Sequence, residues 1–170
     1  TQFGGRGVKV AECLQMLSAA SYESLSLSLI FGINIALFLE PLAKYGNPLI
    51  QEKVFQDFLL NKAMGGLMIT EPAYGSDALN MRTCYEENAN GYHMQGQKHW
   101  QGLTGDANYW LVAARKKNPM GELQRDVDFF MTEDGIPSQK IHVSRKYNNL
   151  GLYAIPYGIN DIDVQVPLSH

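Results

Sequence analysis

Cysteine is scarce in this chain: of its 170 residues only Cys13 and Cys84 are cysteines, far apart in the sequence. Two isolated thiols form neither a disulfide framework nor a zinc ligand set, each of which needs more cysteines at closer spacing. A reducing, cytoplasmic setting is therefore expected. An excess of positive charge is lacking too. Fourteen basic residues stand against 17 acidic ones, for a net charge of -3, and no basic stripe of the kind that neutralises phosphate backbones is present. Nucleic acid is not an expected partner. The chain starts at Thr1 without a charged and then apolar leader or a small-residue cleavage site, so no targeting signal is visible and Thr1 need not be a natural start.

A long uninterrupted apolar run is the next absence. The most apolar stretch, residues 25–42, is broken by Ser26, Ser28, Gly32, Asn34 and Glu40, whereas a spanning helix wants about 20 predominantly apolar residues. It reads as a buried core helix, with no membrane span expected.

What is present divides in two. Residues 7–20 bring Val8, Val10, Ala11, Leu14 and Leu17 to one helical face. A second helix is expected over 22–44, closed by Gly46, and Asn47-Pro48 caps a third helix with Leu49, Ile50, Val54, Phe55, Phe58 and Leu59 on one side. Gly65-Gly66 is expected to end the helical part.

Beyond the double glycine the period becomes strand-like, with turn residues every eight to twelve positions. Strands are expected over 67–70, 80–87, 91–96, 108–115, 127–132, 140–143 and 158–165. Asn90-Gly91 marks a hairpin, and residues 116–126 form a polar loop expected to be mobile. The fold class is thus α+β: a helical segment, residues 1–66, packed on a β-barrel or sandwich of about seven antiparallel strands, residues 67–170.

Residues 67–83, LMITEPAYGSDALNMRT, crowd bending and hydroxyl-bearing residues behind a short strand. Pro72 biases Glu71 to an extended conformation, and Gly75 permits left-handed backbone or the close approach of a bulky group. Backbone N–H groups with the hydroxyls of Thr70 and Ser76 suit a polar planar group or a phosphate; the alternative is a turn in which Ser76 and Asp77 bond their own backbone. Trp100, ahead of a glycine-bearing turn, is either core or a plate against an aromatic ring system. Lys98 either pairs with a carboxylate or approaches a phosphate, and His93 and His99 lack a third partner for a metal. No metal is expected.

Taken in order, Thr70-Glu71-Pro72, Gly75-Ser76-Asp77, Gly96, Lys98, Trp100, Ala107-Asn108, Ala114-Arg115, Leu150-Gly151 and Val166-Pro167 resemble the motifs of the acyl-CoA dehydrogenase family, over residues 40–167. The resemblance implies a FAD enzyme that desaturates acyl-CoA thioesters at Cα–Cβ. It further implies that Leu67, Ile69 and Thr70 border the pyrimidine side of the flavin. Gly75 and Ser76 would approach the flavin diphosphate, with Ser76 also near acyl-CoA, and Trp100 would flank the ring. Gln101 and Gly102 stand where the family has Ile-Thr, so the threonine hydroxyl expected at flavin N5 is missing, and Thr104 is the remaining candidate for it. The family's catalytic glutamate comes from a C-terminal helical domain that would follow His170, so no residue here is assigned as catalytic and Glu71 is expected to be structural. An electron-transfer flavoprotein and a homo-oligomer are implied partners of a full-length enzyme. A flavin oxidase or monooxygenase on the same scaffold, and a non-catalytic module that binds acyl-CoA or a protein, are the competing readings.

Overall fold

The structure, a computed structural model, describes residues 3–7 and 9–170. Four α-helices come first: α1 (Val10–Glu23), α2 (Leu25–Gly32), α3 (Glu40–Tyr45) and α4 (Pro48–Asn61), with a π-helical stretch, Ile33–Leu39, joining α2 to α3. The single helix expected over 22–44 therefore exists but is widened in its middle. The cause lies in two residues. Pro41 has no N–H to offer the preceding turn, and the Asn34 side chain donates to Ile30 O at 2.8 Å while accepting from Gly65 N at 2.8 Å. Asn34 thereby ties the helix to the first strand.

Seven strands follow: β1 (Gly65–Met68), β2 (Cys84–Asn88), β3 (Gly91–His99), β4 (Tyr109–Lys117), β5 (Leu123–Glu133), β6 (His142–Lys146) and β7 (Gly158–Val166). They form one curled sheet in the order β1-β4-β2-β3-β7-β6, with β5 on β4. The expected strand count holds, but the expectation of antiparallel pairing throughout does not: β1 and β2 both run parallel to β4. The β2-β3 hairpin intervenes between β1 and β4, so the chain returns to β1 in the same direction, as a crossover requires. Recurring turn residues report short connections between consecutive strands and carry no sign of this long-range partner.

The double glycine corrects a second expectation. Helix α4 ends at Asn61, with Lys62 in the left-handed region (φ 56°), and Gly65-Gly66 opens β1 instead. A Cβ at Gly65 would lie 2.2 Å from the Phe38 ring, and one at Gly66 would lie 2.4 Å from the Trp110 ring. Helix and sheet interior each approach one face of β1 more closely than any side chain allows.

Two cores result. Met68, Tyr85, Met94, Trp110, Val112 and Phe130 form a cluster on one side of the sheet. Phe38, Leu42, Ile50 and Val54 from the helices pack on Tyr109, Leu111 and Met131 from the other side. Phe38 is fully buried and stacks on Phe58 and Tyr109 with ring centroids 5.6 and 6.2 Å away; such burial contributes roughly 1.5–3 kcal/mol.

The helical faces differ from the periodicity reading. In α4 the buried residues are Ile50 and Val54, while Leu49 and Leu59 are exposed, because one face of the helix suffices for contact with the sheet. No residue of α1 is buried, and its apolar Val10 and Leu14 face outward; Val8 lies outside the described residues. Leu25–Tyr45 is long and apolar enough to cross a membrane by length and composition, yet Ile33, Phe38 and Leu42 along it are core residues of the sheet-packed side. Leu25, Leu27, Phe31 and Leu37 on the same segment are exposed, so the expected core helix is buried on one side only.

The hairpin at Asn90-Gly91 forms, with Asn88 paired to Gly91, whose φ is 121°. The polar loop is shorter than expected. Strands β4 and β5 extend into it, and the Asn118 side chain accepts from Met120 N and Glu122 N to close a tight turn.

Candidate functional site

A cavity of about 300 Å³ opens where the π-helical stretch, the end of β1 and the turn after β3 meet. Leu29, Ile33 and Leu37, at i, i+4 and i+8, supply its helical wall. Leu67, Ile69 and Thr70 supply the strand wall, and Trp100, Gln101 and Gly102, with Tyr157, supply the turn wall. Six residues expected at a flavin, Leu67, Ile69, Thr70, Trp100, Gln101 and Gly102, thus converge on one slot from two separate motifs. The other two do not reach it. Gly75 and Ser76 lie exposed on the turn beyond Tyr74, and a Cβ at Gly75 would meet nothing within 4 Å. The left-handed backbone considered for Gly75 is not adopted there.

A buried ion pair positions the strand wall. Glu71 and Tyr74 close the Pro72-Ala73 turn through reciprocal backbone bonds of 3.2 and 3.1 Å. The Glu71 carboxylate, 5% exposed, accepts from Arg82 N at 2.6 Å, Thr83 N at 2.8 Å and Lys98 Nζ at 3.2 Å. Lys98 has no solvent exposure and also donates to Ile69 O at 2.9 Å. It thus pairs with a carboxylate, and Glu71 is structural as expected. Burial pushes the Glu71 carboxyl up, but hydrogen bonds from Thr83 and Arg82 and the Lys98 charge outweigh it, leaving it below its ordinary value. Burial drags the Lys98 ammonium down to about 8 against the opposing pull of Glu71.

The turn wall is strained and tightly bonded. Trp100 and Leu103 adopt positive φ of 61° and 74°, conformations that cost non-glycine residues about 1 kcal/mol or more each. Compensation comes from the backbone and from amides. Trp100 N donates to Gly158 O at 3.0 Å, and His99 N and the Gln101 amide both donate to Thr70 O, at 2.8 and 3.2 Å. Gln101 therefore bridges the two motifs. Thr104 is fully buried, donates to Gln101 O at 2.7 Å and accepts from Asn160 at 3.1 Å. It braces the turn from behind and does not line the slot, contrary to its candidacy for the missing hydroxyl. A Cβ at Gly102 would sit 2.7 Å from the Ile33 methyl, so Ile33 occupies the space in which a side chain at 102 would stand.

Among the described residues no charged side chain lines the slot. Tyr157 contributes a phenol to it, and burial raises that group above its ordinary value. The indole of Trp100 is half exposed at the mouth, a plate rather than core. Thr70 contributes a hydroxyl and Gln101 an amide, while the helical wall is aliphatic. An isoalloxazine ring has the matching character, with an apolar end, a polar pyrimidine edge and two flat faces. Leu29, Ile33, Leu37 and Tyr157 were missed by motif reading; only the four-residue spacing of the first three hinted at a shared face. Elsewhere His93 bonds Asp163 at 2.7 Å and His99 bonds Tyr147 at 2.8 Å, and no cluster of three metal-ligating side chains occurs among the described residues.

Helices leading into a curled mixed sheet, with the Thr70 strand end and the Trp100 turn meeting at one neutral slot, define the class of acyl-CoA dehydrogenase middle domains. The profile described as Acyl-CoA dehydrogenase, middle domain, matches residues 66–162, and the chain belongs to that family. Among its relatives are the mitochondrial isovaleryl-CoA dehydrogenase of Pongo abelii, 28% identical over 151 residues, covering 89% of this chain and 35% of the relative. Benzylmalonyl-CoA dehydrogenase of Aromatoleum aromaticum is 28% identical over 153 residues, covering 90% of this chain and 39% of the relative. The solved FAD complex of PigA shares the fold with a TM-score of 0.86 at 24% identity, over 99% of this chain and 44% of PigA. The chain thus spans well under half the length of these proteins.

Proposed function

We propose that this chain is the flavin-supporting part of a FAD-dependent enzyme that removes two hydrogens from Cα–Cβ of an acyl-CoA thioester. The observation that carries the reading is the convergence of Thr70 and the Trp100-Gly102 turn, separate in sequence, on one uncharged slot. When bound, FAD supplies the acceptor for the hydride leaving the acyl Cβ. The residues of this chain hold and orient it. Thr70 and Gln101 would offer hydrogen bonds along the polar edge of the ring, where negative charge grows during reduction and preorganised donors contribute most. Trp100 would cover the ring at the mouth, and Leu29, Ile33 and Leu37 would keep water from the reacting carbons. Ser76, exposed on its turn, would meet the diphosphate of FAD and the acyl-CoA.

Loss of the α-proton requires a base, and no carboxylate lines the slot among the described residues. Glu71 is committed to Arg82, Thr83 and Lys98. The base is accordingly proposed to be a glutamate of a helical domain elsewhere in a longer protein, which would also contribute to a homo-oligomer and to exchange with an electron-transfer flavoprotein. Full-length protein purified with its natural flanking sequence is expected to be yellow and to lose its flavin colour when an acyl-CoA is added without air. Colourless protein that takes up no added FAD overturns the reading.

A flavin oxidase is the second reading, favoured by one observation: position 102 has no hydroxyl, and the Ile33 methyl takes its space. Stoichiometric peroxide on adding acyl-CoA in air would select it.

A further inference from the structure

The indole of Trp100 stacks on two other rings. Its ring centroid lies 5.0 Å from that of His99 and 4.7 Å from that of Tyr147, with interplanar angles of 20° and 27°. His99 and Tyr147 are themselves 5.5 Å apart. Rings stacked on opposite faces of one indole would be at least two stacking heights, about 7 Å, apart, so both lie on the same face. Among the described residues no third ring stacks on the indole, and Trp100 is 52% exposed where it lines the slot.

The backing pair is fastened by its own bonds. His99 ends β3 and Tyr147 follows β6, the two strands that flank β7, and the Tyr147 hydroxyl bonds His99 Nε2 at 2.8 Å. Burial lowers the His99 pKa, which favours the neutral imidazole beside the phenol. Tyr147 N donates to Tyr157 O at 2.8 Å, and the Arg145 guanidinium covers the Tyr147 ring at 5.2 Å. The two rings thus form a fixed back plate reaching from β3 to β6.

We propose that His99 and Tyr147 are positioning residues: they clamp one face of the Trp100 indole so that its other face is presented, already ordered, to a planar ring in the slot. Neither touches the slot; both act through Trp100. That the ring is a flavin rests on the proposed function, whereas the clamp itself does not. Trp100 is half-exposed with a left-handed backbone of its own, and its next aromatic neighbour among the described residues is Tyr157, at 6.5 Å. Removing the back plate frees the indole and weakens binding by the cost of ordering it again.

The test uses the full-length protein stripped of FAD, with Tyr147→Ala, Tyr147→Phe and Trp100→Phe variants. The difference in emission between each protein and its Trp100→Phe counterpart isolates Trp100. In Tyr147→Ala, acrylamide quenching of that component is expected to rise, its anisotropy to fall, and the FAD dissociation constant to increase about 3- to 10-fold. Tyr147→Phe keeps the ring and is expected to restore most of both, which a general loss of stability would not. Unchanged Trp100 quenching and anisotropy in Tyr147→Ala overturns the clamp. If the unsubstituted protein binds no FAD, the flavin reading fails by itself, while the quenching comparison still decides the clamp.

Discussion

Lys98 carries an ammonium group with no solvent exposure and a single carboxylate, Glu71, to offset it. Its folded pKa of about 8 lies below the ordinary 10.5, so between these values the unfolded chain binds more protons than the native one. The penalty of burying the charge is fully present below pH 8 and is relieved as pH rises through that window. Urea denaturation at several pH values is therefore expected to show a contribution that gains stability between pH 8 and 10. Above about pH 10 the trend should reverse, because Tyr85 and Tyr109 are held above their ordinary value, first by burial and then by bonds to Asp128 and Asp57. At the acid end Glu71, lowered from 4.5, contributes stability that is lost as pH falls through its folded value. Glu71→Gln should cost about 3–5 kcal/mol in urea denaturation at neutral pH, because it leaves the buried ammonium uncompensated. A loss below about 1 kcal/mol would mean that the pair is dispensable for the strand wall of the slot.

At the scale of elements, the slot depends on how closely the π-helical stretch approaches the sheet and the Trp100 turn. Asn34 ties that stretch to Gly65 N, and Asn34→Ala should cost about 1–3 kcal/mol in thermal or urea denaturation, by leaving a buried donor unpaired. Gly102→Thr would place a Cβ against the Ile33 methyl. A loss of about 1–3 kcal/mol is expected, recovered at least in part by adding Ile33→Ala, since overpacking is relieved by trimming its neighbour. Much at this scale was legible beforehand. Asn47-Pro48 announced α4, Asn90-Gly91 announced the β2-β3 hairpin, and Glu71, Lys98 and Trp100 stood out by their motifs. What stayed hidden has physical reasons. The parallel partnership of β1 with β4 depends on pairing across some 40 residues of sequence, the π-helical stretch on one asparagine side chain reaching another element, and the Tyr147-His99 bond on two strands brought together by β7.

At the scale of the whole molecule, apolar side chains remain on the outer side of the helices: Val10 and Leu14 on α1, Leu25 and Leu27 on α2. The relatives extend well beyond the span that this chain matches. Covering of these faces by further helices of a longer chain is thus part of the proposal, as is the glutamate base. The cavity at the junction of helix, strand and turn stands or falls separately. The central claim is that the slot walled by Thr70 and Trp100 receives the flavin ring, and it is tested most directly by titrating FAD into the FAD-stripped full-length protein while following Trp100 emission, isolated by difference from Trp100→Phe. The predicted result is saturable quenching of that component in step with FAD uptake. FAD that binds with Trp100 emission unaltered, or that does not bind, would contradict the claim.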